Sequence, residues 1–226
     1  MHSDKPTAAG TSLGYTFVDP TLLAEALTHR SAGSANNERL EFLGDSLLNT
    51  VIAIELYRRR SSSPEGDLSR LRAALVREET LAEIARANHL GEVLSLGEGE
   101  RKSGGHRRDS ILADACEAII GAVYLDSDFS TVHRFVVELY RERLEDMPNA
   151  DQLKDPKTRL QEYLQSRRQT PPEYEVIGSS GAEHAREFTV RCRIEALDLE
   201  RTASGTSRRK AEQQAARACL AALESA

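Results

Sequence analysis

The chain has 226 residues, of which 39% are hydrophobic and 29% charged, and this composition excludes disordered and fibrous proteins. No apolar run approaches the roughly 20 residues of a membrane span, so we expect no membrane partner. The net charge of −6 argues against a nucleic-acid partner, but residues 155–226 hold 12 Lys and Arg against 11 Asp and Glu, so the acidic excess precedes them.

The first part of the chain has a helical pattern. Residues 1–11 lack the apolar stretch of a signal peptide, so we expect them to form a disordered tail of a cytoplasmic protein. Helical periodicity then continues to residue 146 without strand-like alternation. Helices are predicted over residues 22–27, 37–59, 67–88, 109–125 and 130–144. This pattern predicts an all-α domain over residues 12–146.

The second part begins after residues 147–155, where proline and polar residues predict a linker. Residues 188–194 alternate strictly, which predicts a half-buried strand, and residues 174–177 and 197–202 are candidate partner strands. Helices are predicted over residues 158–167 and from a Ser207 cap to about residue 223. One face of the last helix gathers Ala211, Ala215, Ala218 and Ala222. The order α-β-β-β-α over residues 156–226 makes the chain an α+β protein of two domains.

The cysteines are Cys116, Cys192 and Cys219. They lie far apart in the sequence and form no C-x-x-C pair, which favours buried, reduced thiols over a zinc site or a disulfide framework.

The predicted helix 37–59 gathers acidic residues on one face. Glu38, Glu41 and Asp45 fall within about 60° of one another on a helical wheel. The apolar residues Leu40, Leu43 and Leu47 form a separate stripe.

The predicted helix 109–125 repeats this arrangement. Asp114 and Glu117 lie about 60° apart, opposite an apolar stripe, and the small residue Gly121 leaves room for a close neighbour. Solvated acidic faces remain the simpler interpretation of both helices. If the faces met, the carboxylates would repel unless a cation compensated, and all-oxygen donors favour Mg²⁺ or Mn²⁺ over zinc. Such a site suits phosphodiester hydrolysis.

Residues 37–46, Asn-Glu-Arg-Leu-Glu-Phe-Leu-Gly-Asp-Ser, resemble the signature segment of the ribonuclease III family. Residues 27–31, 65–68 and 109–114 are also similar to that family, and the α-β-β-β-α part with its Ser-Arg-Arg-Lys-Ala-Glu segment at 207–212 resembles a double-stranded-RNA-binding domain. The resemblance covers nearly all of the chain beyond the first dozen residues. It implies a homodimeric endonuclease that cuts both strands of duplex RNA and leaves 5′-phosphates and short 3′ overhangs. Precursor ribosomal RNA and structured messenger RNAs are the implied substrates.

The resemblance also implies roles for individual residues. Mg²⁺, with Mn²⁺ as a substitute, would be bound by Glu41, Asp45, Asp114 and Glu117, of which Asp45 and Glu117 would be catalytic. Glu38 and Glu65 would be supporting acids. Phe42, on the acidic side of its helix, would insert into a socket of the partner subunit near its Glu65. No small-molecule cofactor is expected.

Duplex RNA would be bound mainly by the second domain. Its phosphates would contact Arg208, Arg209 and Lys210 at a helix N-terminus. The family's minor-groove contacts match Thr158, Gln161, Glu162 and Gln165, and His184 in a loop. Glu212 departs from the Lys of many such domains, and Ala185 leaves the loop with little positive charge. Near the nuclease site, Lys102, Arg107 and Arg108 are further candidates for phosphate contacts.

Two other functions remain open at this point. The chain could be a catalytically inert regulator that binds duplex RNA, or a structural protein of the ribosome that binds one RNA and leaves it intact. The presence of all four matched metal carboxylates favours the enzyme.

Overall fold

The computed structural model describes residues 13–181 and 186–224, and the chain divides after Ala150 into two compact units. Helices build the first unit, and helices with a three-stranded sheet build the second. The predicted α+β fold class is confirmed. Within the described ranges no helix is long and apolar enough to cross a membrane. The tail predicted over residues 1–11 lies outside them.

The first unit is arranged around one central helix. Its helices are α1 Pro20–Ala26, α2 Glu38–Arg59, α3 Glu65–Val76, α4 Glu78–Ala87, α5 Glu98–Lys102, α6 Asp109–Asp126, α7 Phe129–Leu139 and α8 Arg141–Glu145. Helix α6 packs against α1, α2, α4 and α7. Between Ile111 and Val123 every residue of α6 is buried except Asp114 and Glu117. The two acids therefore interrupt an otherwise apolar helix surface.

The prediction of one helix over residues 67–88 is wrong, because α3 and α4 meet at an extended residue, Arg77 (ψ 155°). The hydroxyl of the buried Thr80 donates a hydrogen bond to the carbonyl of Ala74 at 2.9 Å. This bond provides a partner for a carbonyl in the last turn of α3, which has none within the helix. The break contains no Gly or Pro, so periodicity alone did not predict it. The helix predicted over residues 130–144 is likewise divided, at the buried Tyr140.

The buried face of α2 is rotated from the predicted one. Leu40 is buried as expected, but Leu43 and Leu47 are half-buried, and Gly44 and Leu48 take the core positions. The reason is that Gly44 lies at the contact with α6, which turns its side of α2 inward.

The second unit has the predicted order α-β-β-β-α. Its elements are α9 Pro156–Ser166, β1 Glu173–Ser180, β2 Glu187–Ile194, β3 Leu199–Gly205 and α10 Arg208–Glu224. The strands pair antiparallel in the order β1-β2-β3, with a bulge between Val176 and Gly178. Helices α9 and α10 and strand β2 supply the core, which consists of Leu160, Leu164, Cys192, Ile194, Ala215, Ala216, Cys219 and Leu220.

The buried face of α10 follows the larger side chains. Ala211 is buried as predicted, but Ala218 and Ala222 are only half-buried, and Cys219 and Leu220 occupy the core instead. Larger apolar side chains gain more from burial than alanine, which explains the rotation. The expectation of buried free thiols is confirmed for all three cysteines.

Candidate metal centre

Helices α2 and α6 cross in backbone contact, and two glycines make this possible. A Cβ atom on Gly44 would lie 1.8 Å from the carbonyl oxygen of Glu117. A Cβ atom on Gly121 would lie 2.3 Å from the carbonyl oxygen of Leu40. No side chain fits at such distances, so glycine is required at both positions.

The crossing brings acids of both helices together. Glu41 of α2 and Asp114 and Glu117 of α6 each offer a carboxylate oxygen, and these oxygens lie within 4.8 Å of one another. All three residues are half-buried. The donor set is entirely oxygen, which suits Mg²⁺ or Mn²⁺ better than zinc.

Burial and like charge make these acids hard to ionise together. Burial, reinforced by the charges of Asp45, Glu41 and Asp114, raises the pKa of Glu117 to about 8. The pKa of Glu41 is raised by burial and then by Asp114, and the pKa of Asp114 by burial and then by Glu78. A bound divalent cation would favour the ionised form of all three acids, because its positive charge offsets the repulsion between their carboxylates. The residues therefore fit a hard metal ion.

Asp45 and Glu38 lie at the edge of this group. The Asp45 side chain is exposed and accepts a hydrogen bond from Asn49 Nδ2 at 2.8 Å. Asp45 is outside the group of three, although its charge contributes to the raised pKa of Glu117. Glu38 is exposed and forms an ion pair with Arg30, 3.5 Å apart.

A cavity of about 570 Å³ opens beside the acids. Its lining includes Glu38, Glu41 and Asp114 together with Arg30, Glu100 and Arg108. Arg108 and Glu100 form an ion pair at 2.8 Å. Sequence reasoning assigned no role to Arg30 or Glu100. Glu100 lies on the short helix α5, between Gly97 and Gly105, in a segment for which no helix was predicted.

The loop after α1 is fixed at the rim of this cavity. The amide of His29 donates to the carbonyl of Ser95 at 3.0 Å, and the Ser31 hydroxyl accepts from the amide of Gly97 at 2.9 Å. His29 and Arg30 both line the cavity, and their charges lower the pKa of Asp114 against the effect of burial. The loop therefore adds positive charge to an acidic site.

Two of the other predicted cations lie elsewhere. Lys102 forms an ion pair with Glu98 at 2.6 Å. Arg107 lines a separate depression of about 360 Å³ with Arg86 and His106. Of the three cations near the Gly-rich segment, Arg108 is the one in the lining of the acidic cavity.

Phe42 and Glu65 lie on exposed helix surfaces. Phe42, near the start of α2, is 77% exposed, and Tyr57, near its end, is 74% exposed. Glu65 is the first residue of α3. Its carboxylate accepts from Ser69 Oγ at 2.6 Å and lines a depression of about 210 Å³ beside Tyr57 and Leu68.

The residues predicted to bind RNA in the second unit are exposed wherever they are described. One face of α9 presents Thr158, Gln161, Glu162 and Gln165. Arg208, Arg209 and Lys210 form the first turn of α10, and the amide of Lys210 donates to the Ser207 hydroxyl at 3.2 Å. His184 and the loop residue Ala185 lie outside the described residues.

Comparison with known proteins gives a family for each unit. Residues 19–144 match the family model described as ribonuclease-III-like, and residues 156–223 match the double-stranded RNA binding motif. The chain is 58% identical over 211 residues to ribonuclease 3 of Vibrio cholerae, covering 93% of this chain and 94% of that protein. Ribonuclease 3 of Proteus mirabilis is 56% identical over 212 residues, covering 94% of both.

Solved structures give the same result for the first unit. A crystal structure of the nuclease domain of ribonuclease III from Campylobacter jejuni is 41% identical, with a TM-score of 0.61. It covers 66% of this chain and 100% of that domain. A second structure of that domain, described in terms of a flexible region involved in dimer formation, is 44% identical with a TM-score of 0.59, covering 60% of this chain and 95% of that one.

We expect Gly44→Ala to destabilise the protein strongly, because its methyl group would overlap the Glu117 carbonyl. The free energy of unfolding should fall by about 3 kcal/mol or more, at the upper end for an overpacked core. Gly99→Ala is the matched control, since no atom lies within 4 Å of its added Cβ atom. Urea unfolding of both variants measures the difference. Equal stabilities would show that α2 and α6 do not touch at Gly44.

We expect the stability of the protein in chelator to fall as pH rises from about 5 to about 8. The folded state keeps a proton on Glu117, with its pKa of about 8, over a range in which the unfolded chain releases it. Unfolding then releases protons, so higher pH favours the unfolded state.

Thermal unfolding across this pH range measures the effect. Glu117→Gln removes the ionising group and should flatten the pH profile, whereas the exposed control Glu142→Gln should leave it unchanged. A profile in Glu117→Gln as steep as that of the parent would contradict the assigned pKa.

Proposed function

The chain belongs to the ribonuclease III family, and on that basis we propose that it is an endonuclease that hydrolyses both strands of duplex RNA. The group of Glu41, Asp114 and Glu117 supports the proposal most directly, because it occurs in a domain that precedes a double-stranded RNA binding motif. Hydrolysis joins a water oxygen to phosphorus and breaks the bond to O3′, so it leaves a 5′-phosphate and a 3′-hydroxyl.

We assign these acids to binding the metal ion that the family uses for hydrolysis. Glu41, Asp114 and Glu117, with Asp45 beside them, would hold Mg²⁺, and Mn²⁺ is expected to substitute. A bound divalent cation lowers the pKa of water and stabilises charge on the leaving oxygen. Glu117 has the most strongly raised pKa of the group, so we assign it the central position and a catalytic role with Asp45. Glu38 supports the site through its ion pair with Arg30.

The positive groups of the cavity would offset repulsion between the acids and RNA. Arg30 and Arg108 line the cavity, and each is paired with an acid, Glu38 or Glu100. An arginine held by one carboxylate keeps further N–H donors for a phosphate oxygen. We assign both to the RNA strand next to the cleaved bond.

A homodimer would supply the second active site that a second strand needs. The exposed Phe42, near the start of α2, is a large apolar side chain that a partner subunit would cover. The depression beside Glu65 and Leu68 is a suitable socket for the partner's Phe42. Two sites acting on opposite strands would produce short 3′ overhangs.

The second unit would supply most of the affinity for RNA. We assign residues 12–146 to the nuclease domain, 147–155 to a linker and 156–226 to the RNA-binding domain. The exposed face of α9, the cations of α10 and His184 are the proposed contacts. Structured precursors of ribosomal and messenger RNA in the cytoplasm are the proposed substrates.

The first test is cleavage of a fully paired RNA duplex. We expect Mg²⁺-dependent cutting of both strands, no cutting in excess chelator, and no cutting of the separate strands. Glu117→Ala should abolish cleavage while duplex binding persists, because the RNA-binding residues are untouched, and the exposed Glu142→Ala should cut normally. Binding without cleavage by the parent protein would instead indicate a catalytically inert regulator.

The dimer is tested by Phe42→Ala. We expect the dimer dissociation constant to rise by roughly tenfold or more, as for a buried aromatic at the centre of an interface. Val18→Ala is the control, because Val18 is also an exposed apolar residue (86% exposed) but lies outside α2 and α3. Sedimentation velocity over a concentration series gives the constants. Equal constants for both variants would show that Phe42 is not an interface residue.

A further inference from the structure

Glu212 is a buried acid in the first turns of α10, at the position where many double-stranded-RNA-binding domains have Lys. It is only 9% exposed. Burial raises the pKa of Glu212, but hydrogen bonds from Lys157 and Arg208 outweigh this effect and lower it below its usual value. Glu212 is therefore ionised and held by two cations from different helices.

The bond to Arg208 leaves most of its guanidinium available. Arg208 Nε donates to Glu212 Oε1 at 2.9 Å, while the Arg208 side chain remains 67% exposed. This contact uses the Nε–H and leaves the N–H groups of both terminal nitrogens for another acceptor. A phosphate oxygen at the start of α10 would be such an acceptor, because the helix N-terminus also favours an anion.

The bond to Lys157 joins α10 to the start of α9. Lys157 Nζ donates to Glu212 Oε2 at 2.5 Å and lies 4.5 Å from the centre of the Tyr174 ring. The next residue of α10 repeats the link, since Gln213 Nε2 donates to Asp155 Oδ2 at 2.6 Å. Asp155 is itself the N-cap of α9. Glu212 and Gln213 thus fix the N-termini of the two helices against each other.

We propose that Glu212 is a positioning residue for duplex RNA, which holds the Arg208 guanidinium in its binding orientation and fixes the start of α10 relative to α9. This inference rests on the proposed RNA-binding role of both helices. A rigid duplex presents its phosphates and minor groove at set distances, so contacts fixed in advance lose less entropy on binding.

The inference predicts the opposite sign from simple electrostatics. Removal of an acid close to a polyanion should strengthen binding if net charge alone decides. Removal of a positioning acid should weaken binding, because Arg208 then has no fixed orientation. Glu212→Gln keeps the size of the side chain and removes its charge, so the direction of the change separates the two explanations.

The experiment measures binding of the full-length chain to a duplex of about 20 base pairs, a length that accommodates one such domain. Excess chelator prevents cleavage. We expect Glu212→Gln to weaken binding by roughly five- to tenfold. The negative slope of log K against log salt should become shallower by about one, the effect of one lost phosphate contact. Glu224→Gln is the matched control, because Glu224 also lies on α10 and pairs with an α9 cation, Arg159, at 2.9 Å.

A double-mutant cycle with Arg208→Gln tests how Glu212 acts. In the Arg208→Gln background we expect Glu212→Gln to weaken binding clearly less than it does in the parent protein, because only the link to α9 then remains to be lost. Full additivity of the two losses, or tighter binding by Glu212→Gln alone, would overturn the inference. Thermal unfolding shows whether each variant is folded. If Glu212→Gln does not fold, Lys157→Gln replaces it, because it also removes the link between α9 and Glu212.

Failure of the inference is distinguishable from failure of the proposed function. A parent protein that does not bind the duplex, or an Arg208→Gln variant that binds as well as the parent, would refute the proposed RNA contacts themselves. Normal behaviour of both, with unchanged binding by Glu212→Gln, would refute only the positioning role.

Discussion

The close approach of α2 to α6 is the constraint on which the first unit depends. Gly44 and Gly121 allow the two backbones to touch, and the contact places Glu41 against Asp114 and Glu117. Any larger residue at either position would force the two backbones apart at this crossing. The same contact rotates α2, so that Gly44 and Leu48 face the core and Phe42 faces outward. The candidate metal centre and the proposed dimer surface thus both follow from the contact between α2 and α6.

The half-buried Glu117 and the buried Glu212 show how neighbours determine the role of a carboxylate. Burial raises the pKa of both Glu117 and Glu212. Around Glu117 the neighbouring charges are negative and raise it further, which leaves a site that a divalent cation would stabilise. Around Glu212 the neighbours are Lys157 and Arg208, which lower the pKa, and the protein itself supplies the compensating charge. The first arrangement is typical of a metal-binding or catalytic site, and the second of an acid that holds neighbouring cations in place.

Much of the fold was predictable because its signals are local. Alternation over residues 188–194 predicted β2. Helical periodicity predicted α2 and α6, with each helix end correct to within one residue. The break at Arg77 was not predictable, since the bond from Thr80 to Ala74 depends on burial rather than on Gly or Pro. The acidic faces of α2 and α6 were visible, but their meeting was not. Spacing within one helix gives no information about its neighbour, so the expectation of a shared site came from family resemblance.

An acidic catalytic cavity and a polyanionic substrate impose opposite electrostatic demands. The cavity contains Glu38, Glu41, Asp114 and Glu100, and its arginines, Arg30 and Arg108, are already paired with acids. Such a site contributes little attraction for RNA until a cation is bound. The first turn of α10, in contrast, presents three consecutive cations beside a helix N-terminus. The proposed placement of RNA affinity in the second unit would allow the nuclease site to keep the excess negative charge that metal binding requires. The net charge of −6 comes from residues 1–154, since residues 155–226 hold 12 Lys and Arg against 11 Asp and Glu, and a prediction of partners from it alone would have excluded RNA.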